Sequence, residues 1–220
     1  MIVLITGTSQ GIGKACAEYY LKHGHVVHGF DIKPSNIAHK SYIHHELDIV
    51  SSELPKIENI NIIFHNAGVQ EGKDVIGVNL KGTIRVNEQY AFAPSIKAVL
   101  FNASASARNG FEFPEYAASK AGVVGYMKNT AVRLAPLGAV ANSISFGGVV
   151  TELNKPVMDD PECWKKIMDV TPLKKWVTKE EAAEWVYFLT VNNKSMSGQD
   201  ILVDNGENDL NCTFVWPKKE

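Results

Sequence analysis

The sequence has 220 residues, of which 45% are hydrophobic and 21% charged, values typical of a globular protein with room for one large α/β domain. Its net charge of −2, without any basic run, excludes the electrostatic footprint of a nucleic-acid-binding protein. No apolar run is long enough to span a membrane, and the first one begins at Ile2, so we expect a cytoplasmic protein without a signal peptide.

The first 31 residues predict one strand–helix–strand unit. The short apolar run Ile2-Val3-Leu4-Ile5 indicates a buried strand. It ends in a segment with three glycines, Thr6-Gly7-Thr8-Ser9-Gln10-Gly11-Ile12-Gly13. A helical pattern follows as far as Gly24, and a second strand over residues 25–30 leads to Asp31.

This unit predicts a dinucleotide site. Glycines let the backbone turn tightly and let a pyrophosphate approach, and the helix N-terminus attracts the anion. Asp31 can accept hydrogen bonds from the adenosine ribose and would repel a 2′-phosphate, so NAD(H) is favoured over NADP(H). Since the spacing is G-x-x-x-G-x-G rather than G-x-G-x-x-G, a glycine-rich loop that binds nothing is the alternative.

The histidines and cysteines do not predict a metal site. Residues 32–45 form a surface connection with a short strand near Tyr42, in which His44 and His45 point to opposite faces. No carboxylate lies at a ligand-like spacing from them. The three cysteines are widely separated and predict no disulfide framework; they are Cys16, Cys163 and Cys212.

Polar or small residues follow the next strands. Asp48 is either a neighbour of the adenine ring or a turn acid. The strand 60–65 runs into Asn66-Ala67-Gly68, at the edge where an open α/β sheet binds its ligand. A helix predicted over Val75 to Ala93 carries Asn79, which belongs either on an exposed face or in a buried polar relay.

A tyrosine and a lysine share one face of a later helix. A strand over residues 96–101 is followed by a loop and then by a helix that opens near Tyr116 and reaches about Leu134. Tyr116 and Lys120 are four residues apart, so their side chains are neighbours. A nearby ammonium favours the phenolate and suits the tyrosine for general acid/base work, although this spacing alone is common.

Taken together, these residues resemble the short-chain dehydrogenase/reductase family. The resemblance rests on the glycine loop, Asn66-Ala67-Gly68, Val78-Asn79-Leu80, Tyr116-x-x-x-Lys120, residues 142–151 and residues 197–206, all in family order. It implies a Rossmann-like, doubly wound parallel α/β sheet flanked by helices in three layers. It also implies a single domain over residues 1–206, a substrate lid at 152–176 and a C-terminal tail at 207–220.

The resemblance also implies roles for individual residues. Tyr116 is the proton donor or acceptor, Lys120 assists it and holds the nicotinamide ribose, and Asn79 anchors a water of the proton relay. Thr151 contacts the nicotinamide carboxamide. The cofactor-binding residues implied are Gly7, Ser9, Gln10, Gly11, Ile12, Gly13, Asp31, Asp48, Asn66, Ala67, Gly68, Tyr116, Lys120, Val149 and Thr151.

The sequence departs from the family pattern in three places. The catalytic serine position falls on Ala105, which leaves Ser104 and Ser106 as candidates, with Ser104 ahead. Phe146 replaces a usual proline beside the nicotinamide. Only ten residues separate Gly68 from Asn79, so a helix common in relatives is shortened, which opens the cleft or changes the assembly.

The segment 152–176 and the tail are least like the family. Trp164 and Met168 either line a pocket or pack inward, and a further amphipathic helix is expected over residues 180–190. Five lysines either attract an anionic substrate or lie on a solvated face; they are Lys155, Lys165, Lys166, Lys174 and Lys175. The apolar tail residues Phe214, Val215 and Trp216 suggest docking on the body or on a neighbouring subunit.

Two functions are consistent with the sequence. The first is an NAD(H)-dependent oxidoreductase that interconverts a secondary alcohol and a ketone, favoured by the intact Asn79, Tyr116 and Lys120. The second is a dinucleotide-binding sensor or partner protein with little catalysis, favoured by Ala105 and the shortened helix. A 3-oxoacyl thioester, a sugar or polyol, a hydroxysteroid and a small diketone all stay open as substrates, and a homo-oligomer, a dimer or tetramer, is implied by the resemblance alone.

Overall fold

A single parallel sheet organises the computed structural model, which describes residues 1–110 and 113–210. Within those residues its strands are β1 Ile2–Thr6, β2 Val26–Asp31, β3 Tyr42–Glu46, β4 Ile62–His65, β5 Ala98–Asn102, β6 Val140–Phe146 and β7 Asp200–Val203. The spatial order is β3-β2-β1-β4-β5-β6-β7, and every neighbouring pair is parallel. The direction of the order therefore changes between β1 and β4, which is where an open α/β sheet forms a ligand crevice.

Helices cover both faces of the sheet. The α-helices are α1 Gly11–Lys22, α2 Thr83–Tyr90, α3 Ser106–Asn109, α4 Pro114–Leu134, α5 Lys155–Met158, α6 Pro161–Val170 and α7 Lys179–Tyr187. The described part of the chain also contains two π-helical turns, Gly77–Gly82 and Phe188–Asn192, and two 3₁₀ turns, Ala135–Leu137 and Glu152–Asn154. No described helix is both long and apolar enough to cross a membrane.

Two apolar clusters lie on opposite faces of the sheet because successive strand residues point to opposite sides. On β1, Val3 and Ile5 belong to the cluster under α1 and α7, whereas Leu4 belongs to the cluster under α2 and α4. All three side chains are fully buried. The arrangement confirms the single-domain, doubly wound α/β fold with three layers.

The predicted elements are largely confirmed. Strands occur in each segment where one was expected, and α4 begins two residues before Tyr116 and ends at Leu134. The helix predicted to end near Ala93 instead ends at Tyr90. Residues 69–74 contain no helix, in agreement with the short spacing between Gly68 and Asn79.

The proposed lid segment packs on the body through its aromatic residues. Trp164 on α6 meets Trp176 edge-on, with 5.0 Å between ring centroids, so Trp164 packs inward. Two of the lysines lie on a solvated face in exposed ion pairs, Lys165 with Asp169 and Lys175 with Glu181. Four residues that the sequence analysis singled out lie outside the described residues; they are Cys212, Phe214, Val215 and Trp216.

A buried histidine ends β4, immediately before Asn66. His65 donates from Nε2 to Oδ1 of Asn87 at 3.1 Å and stacks on Phe101. Burial lowers the pKa of His65 to about 4, so the folded protein keeps a neutral imidazole well below the pH at which an exposed one takes up a proton. Acidification from neutral pH toward the folded-state pKa therefore favours the unfolded chain.

We predict that His65→Gln removes a large part of the acid sensitivity of folding. Between pH 7 and pH 5 the wild-type free energy of unfolding should fall by about 2 kcal/mol more than that of the variant, because only the unfolded wild type gains a proton at this residue. Urea titrations at the two pH values measure the difference. The matched control is His39→Gln at an exposed histidine, which should keep the wild-type dependence. Equal pH dependence in the wild type and in His65→Gln would contradict the prediction.

Candidate active site

The glycine loop folds tightly between β1 and α1. Gly7 and Gly11 have φ values of +76° and +58°, in the left-handed region that favours glycine. A Cβ on Gly13 would lie 2.0 Å from the carbonyl oxygen of Gly7, so the helix can approach the strand only with glycine there. Gln10 precedes the helix and makes no side-chain cap, so no Gln10 side-chain oxygen accepts from the first-turn N–H groups. Such N–H groups at a helix N-terminus are suited to binding a phosphate.

Asn66 joins this loop to the middle of the sheet. Its Nδ2 donates to the carbonyl oxygens of Thr6 and Gly7, each at 3.1 Å, and its Oδ1 accepts from Nδ2 of Asn102 at 3.0 Å. The Thr6 hydroxyl accepts from the backbone N–H groups of Asn66 and Ala67. The ends of β1, β4 and β5 are thereby fixed relative to one another.

Asn79 lies in a buried polar relay rather than on an exposed face. It sits in the π-helical turn Gly77–Gly82 and is 1% exposed. Its side-chain amide forms two hydrogen bonds with the backbone of Val69, both at 2.8 Å, and its Nδ2 also donates to Oγ of Ser119 at 3.0 Å. Of the two alternatives left open by the sequence, the structure selects the relay.

Lys120 and Tyr116 share the inner face of α4, as the spacing predicts. Lys120 is 5% exposed; its Nζ donates to the carbonyl oxygen of Asn102 at 2.8 Å and lies 5.7 Å from the Tyr116 ring centroid. Burial lowers the pKa of Lys120 to about 8. The Ser119 hydroxyl donates to the carbonyl oxygen of Tyr116 at 2.7 Å, which connects the tyrosine's helical turn to Asn79.

Gly68 marks the point where these groups converge. A Cβ built on Gly68 would lie 3.0 Å from Oδ1 of Asn79 and 3.4 Å from Nζ of Lys120. The backbone at the end of β4 thus passes within contact distance of both side chains. A Cβ at position 68 would therefore require the Asn79 side chain to shift by a few tenths of an ångström.

The acidic residues differ in how their carboxylates are used. Asp31 accepts from the backbone N–H groups of Ser9 and Lys33, one on each oxygen and both at 2.9 Å, which holds it beside the glycine loop. Each oxygen keeps a lone pair for a further donor. Asp48 closes its own turn, because it accepts from the Val50 N–H and the Ser51 hydroxyl.

The serine segment is buried at the start of α3. Ser104 and Ser106 are 7% and 3% exposed, and their hydroxyls are hydrogen bonded to each other at 3.1 Å. Ala105 between them is also buried, and its N–H donates to the carbonyl oxygen of Phe146 at 3.0 Å. Phe146 itself packs in the apolar core at the end of β6, where the family has a proline.

Thr151, after the end of β6, lies close to the glycine loop. Val149 pairs with Val177 in an isolated parallel bridge and is buried. Thr151 precedes the 3₁₀ turn Glu152–Asn154, and its Cγ2 would lie 3.9 Å from a Cβ built on Gly11. The structure therefore brings the two distant halves of the predicted dinucleotide site together.

Two contributors were not found from the sequence. Ser119, between Tyr116 and Lys120, connects Asn79 to α4, and its only signal was a small polar residue beside the lysine. Asn102 supplies both a side-chain donor to Asn66 and the carbonyl acceptor for Lys120. Across residues 1–110 and 113–210, no group of three or more His, Cys, Asp or Glu side chains is placed to hold a metal ion.

Comparisons with known proteins show similarity in sequence and in fold. The family profile described as "Enoyl-(Acyl carrier protein) reductase" matches residues 37–208. The (+)-borneol dehydrogenase 1 of Salvia officinalis is 29% identical over 96% of this chain and 94% of its own. The 3-oxoacyl-(acyl-carrier-protein) reductase FabG of Buchnera aphidicola is 27% identical over 92% and 95%. The ligand-free aldohexose dehydrogenase of Thermoplasma acidophilum has the same fold, with a TM-score of 0.82 at 24% identity over 98% and 97% of the two chains.

We predict that Lys120→Met stabilises the protein. A buried ammonium destabilises the folded protein at pH 7, so its removal should raise the free energy of unfolding by about 1–3 kcal/mol. The gain is smaller than the full cost of burying the charge, because the carbonyl oxygen of Asn102 loses the hydrogen bond that Lys120 donates. Urea denaturation at pH 7 measures the change, with Lys128→Met at an exposed position of the same helix as control. A clear loss of stability would show that Lys120 is a structural rather than a functional residue.

Proposed function

The chain belongs to the short-chain dehydrogenase/reductase family and is an oxidoreductase, and on this basis we propose that it interconverts a secondary alcohol and a ketone with NAD(H). The observation that carries this proposal is the convergence of Tyr116, Lys120 and Asn79 around Gly68. A protein that only binds a dinucleotide has no need of a buried lysine beside a tyrosine and a buried asparagine.

The residues present fit a nicotinamide dinucleotide. The first turn of α1 has no side-chain cap, and the loop before it carries glycines at positions 7 and 11, which together suit the binding of an anion. Asp31 has lone pairs free for the adenosine ribose hydroxyls, and its charge disfavours a 2′-phosphate. The bound cofactor supplies or accepts the hydride, and the protein positions the substrate and manages the proton.

In the proposed mechanism Tyr116 exchanges a proton with the substrate oxygen. The Lys120 ammonium stabilises the phenolate and holds the nicotinamide ribose. Asn79, with its amide fixed by Val69 and Ser119, anchors a water that connects this pair to solvent. Since the Ser119 hydroxyl bonds the turn of Tyr116, the same relay also fixes the position of the tyrosine.

A serine polarises the substrate carbonyl, and Ser104 is the first choice. Its hydroxyl and that of Ser106 flank Ala105, the position at which the family has its serine. An oxyanion donor contributes about 2–4 kcal/mol to lowering a barrier, so one of the two hydroxyls must serve for full activity.

Ala105 also favours a second candidate function, a dinucleotide-binding sensor or partner with little catalysis. The two candidates differ in turnover and not in cofactor binding. The relatives supply the first substrates for a panel: borneol, a 3-oxoacyl thioester and an aldohexose. If the protein binds NADH but turns over none of these compounds and no other ketone, the sensor function is favoured.

We predict that Tyr116→Phe abolishes turnover and leaves NADH binding intact, because the variant lacks only the hydroxyl that transfers the proton. Absorbance at the NADH band follows the reaction across the panel, with binding measured separately by calorimetry. Tyr126→Phe is the matched control, since Tyr126 lies on the same helix and its hydroxyl donates to Glu88 at the surface. Equal turnover by wild type and Tyr116→Phe would refute the mechanism.

We predict that Asp31→Asn narrows the preference for NADH over NADPH by about tenfold or more, because it removes the charge that repels a 2′-phosphate. The measurement is kcat/KM for both cofactors at fixed substrate. Glu46→Gln is the control, since Glu46 pairs with Asp31 in the sheet register but is exposed. A wild-type preference for NADPH would show that the assignment of Asp31 is wrong.

A further inference from the structure

A chain of hydrogen bonds connects the outermost strand to the glycine loop. The Tyr42 hydroxyl on β3 lies 2.9 Å from Oγ1 of Thr8 and 3.0 Å from Nδ1 of His44. Nε2 of His44 lies 2.9 Å from the carbonyl oxygen of Lys33. That carbonyl also accepts from the Ser9 hydroxyl at 2.9 Å, which closes the chain back onto the loop.

These hydrogen bonds involve the two segments that hold Asp31. Thr8 and Ser9 lie in the glycine loop, while Lys33 lies two residues past Asp31 in the connection after β2. The Asp31 carboxylate accepts from the backbone N–H groups of both Ser9 and Lys33. The two segments that hold this carboxylate are therefore tied together a second time, through Tyr42 and His44.

The direction of each hydrogen bond follows from the chemistry of its ends. A carbonyl oxygen only accepts, so His44 carries a proton on Nε2, and a neutral ring then accepts on Nδ1 from the Tyr42 hydroxyl. The Tyr42 oxygen in turn accepts from the hydroxyl of Thr8, which is fully buried. Every hydroxyl in the chain donates once, so it forms one satisfied relay.

The backbone of β2 makes room for this relay at one residue. A Cβ on Gly29 would lie 2.3 Å from the Tyr42 hydroxyl and 2.5 Å from Oγ1 of Thr8. Gly29 has an ordinary strand conformation that other residues can adopt. Glycine is therefore required here to leave space for the contact between Tyr42 and Thr8. The neighbouring His45 faces the other side of β3 and bonds to His28, away from the glycine loop.

We propose that Tyr42 and His44 are positioning residues for the adenosine half of the cofactor. They fix the glycine loop against the segment after β2 and so hold Asp31 in the geometry that binds the adenosine ribose. The inference rests on the proposed function, since it deepens the assignment of the dinucleotide site. It predicts an effect on adenosine binding and none on the proton-transfer groups at the other end of the site.

The test is calorimetry with ADP-ribose, which carries the adenosine ribose and lacks the nicotinamide. Tyr42→Phe and His44→Leu should each weaken ADP-ribose binding roughly three- to tenfold, the value of one hydrogen bond. The double variant should lose no more ADP-ribose affinity than the single variant that binds less tightly, because both substitutions break the same relay. His45→Gln, one residue away on the opposite face of β3, is the control and should bind as the wild type does.

A second readout separates positioning from general damage. In Tyr42→Phe the KM for NADH should rise while kcat stays within about twofold of wild type. Unchanged ADP-ribose affinity in both single variants, or a fall in kcat that matches the rise in KM, would overturn the inference. A wild type that binds neither NADH nor ADP-ribose would overturn the proposed function itself, which is a distinct outcome.

Discussion

The rest of the site depends on the hydrogen bonds made by the side-chain carboxamide of Asn66. It bonds the end of β1 on one side and Asn102 at the end of β5 on the other. The β1 contact fixes the glycine loop, and Asn102 supplies the carbonyl that holds Lys120. One side chain at the centre of the sheet therefore connects the glycine loop to the strand end that holds Lys120.

The sequence predicted the parts of this frame that have local signals. Alternating burial along β1, the glycine spacing and the shared face of Tyr116 and Lys120 are all properties of neighbouring residues. Contacts between distant segments were not predictable in this way. Tyr42 meets Thr8 across 34 positions, and Ser119 meets Asn79 across 40, and no local pattern records either pair. Whether Ser104 or Ser106 replaces the missing serine at position 105 depends on substrate geometry and stays a prediction.

The two ends of the site are built from different kinds of support. The proton-transfer end lies over the middle of the sheet, where Lys120 and Asn79 are buried with nearly every polar atom bonded to the backbone. The proposed adenosine end lies at the outer strands, where β3 is the edge strand, pairs only with β2, and has partly exposed residues. At this edge, side-chain hydrogen bonds from Tyr42 and His44 hold the neighbouring segments in place, as strand packing does at the centre of the sheet. This difference explains why Lys120 and Asn79 were recognisable by residue type, whereas the supporting roles of Tyr42 and His44 were not.

The π-helical turn at Gly77–Gly82 has a consequence for how the chain can vary in length. Each residue of an α-helix turns the chain by about 100° around the helix axis. A π-helical turn accommodates one additional residue in a single turn of the helix. The turn thus keeps two sets of side chains in place: Asn79 faces Val69, and seven residues further along the chain Val86 and its neighbour Asn87 are buried. Loss or gain of a single residue here would swing one of these sets toward solvent. The connection 69–74 contains no helix, so a change of length there would leave the angular positions of both sets unchanged.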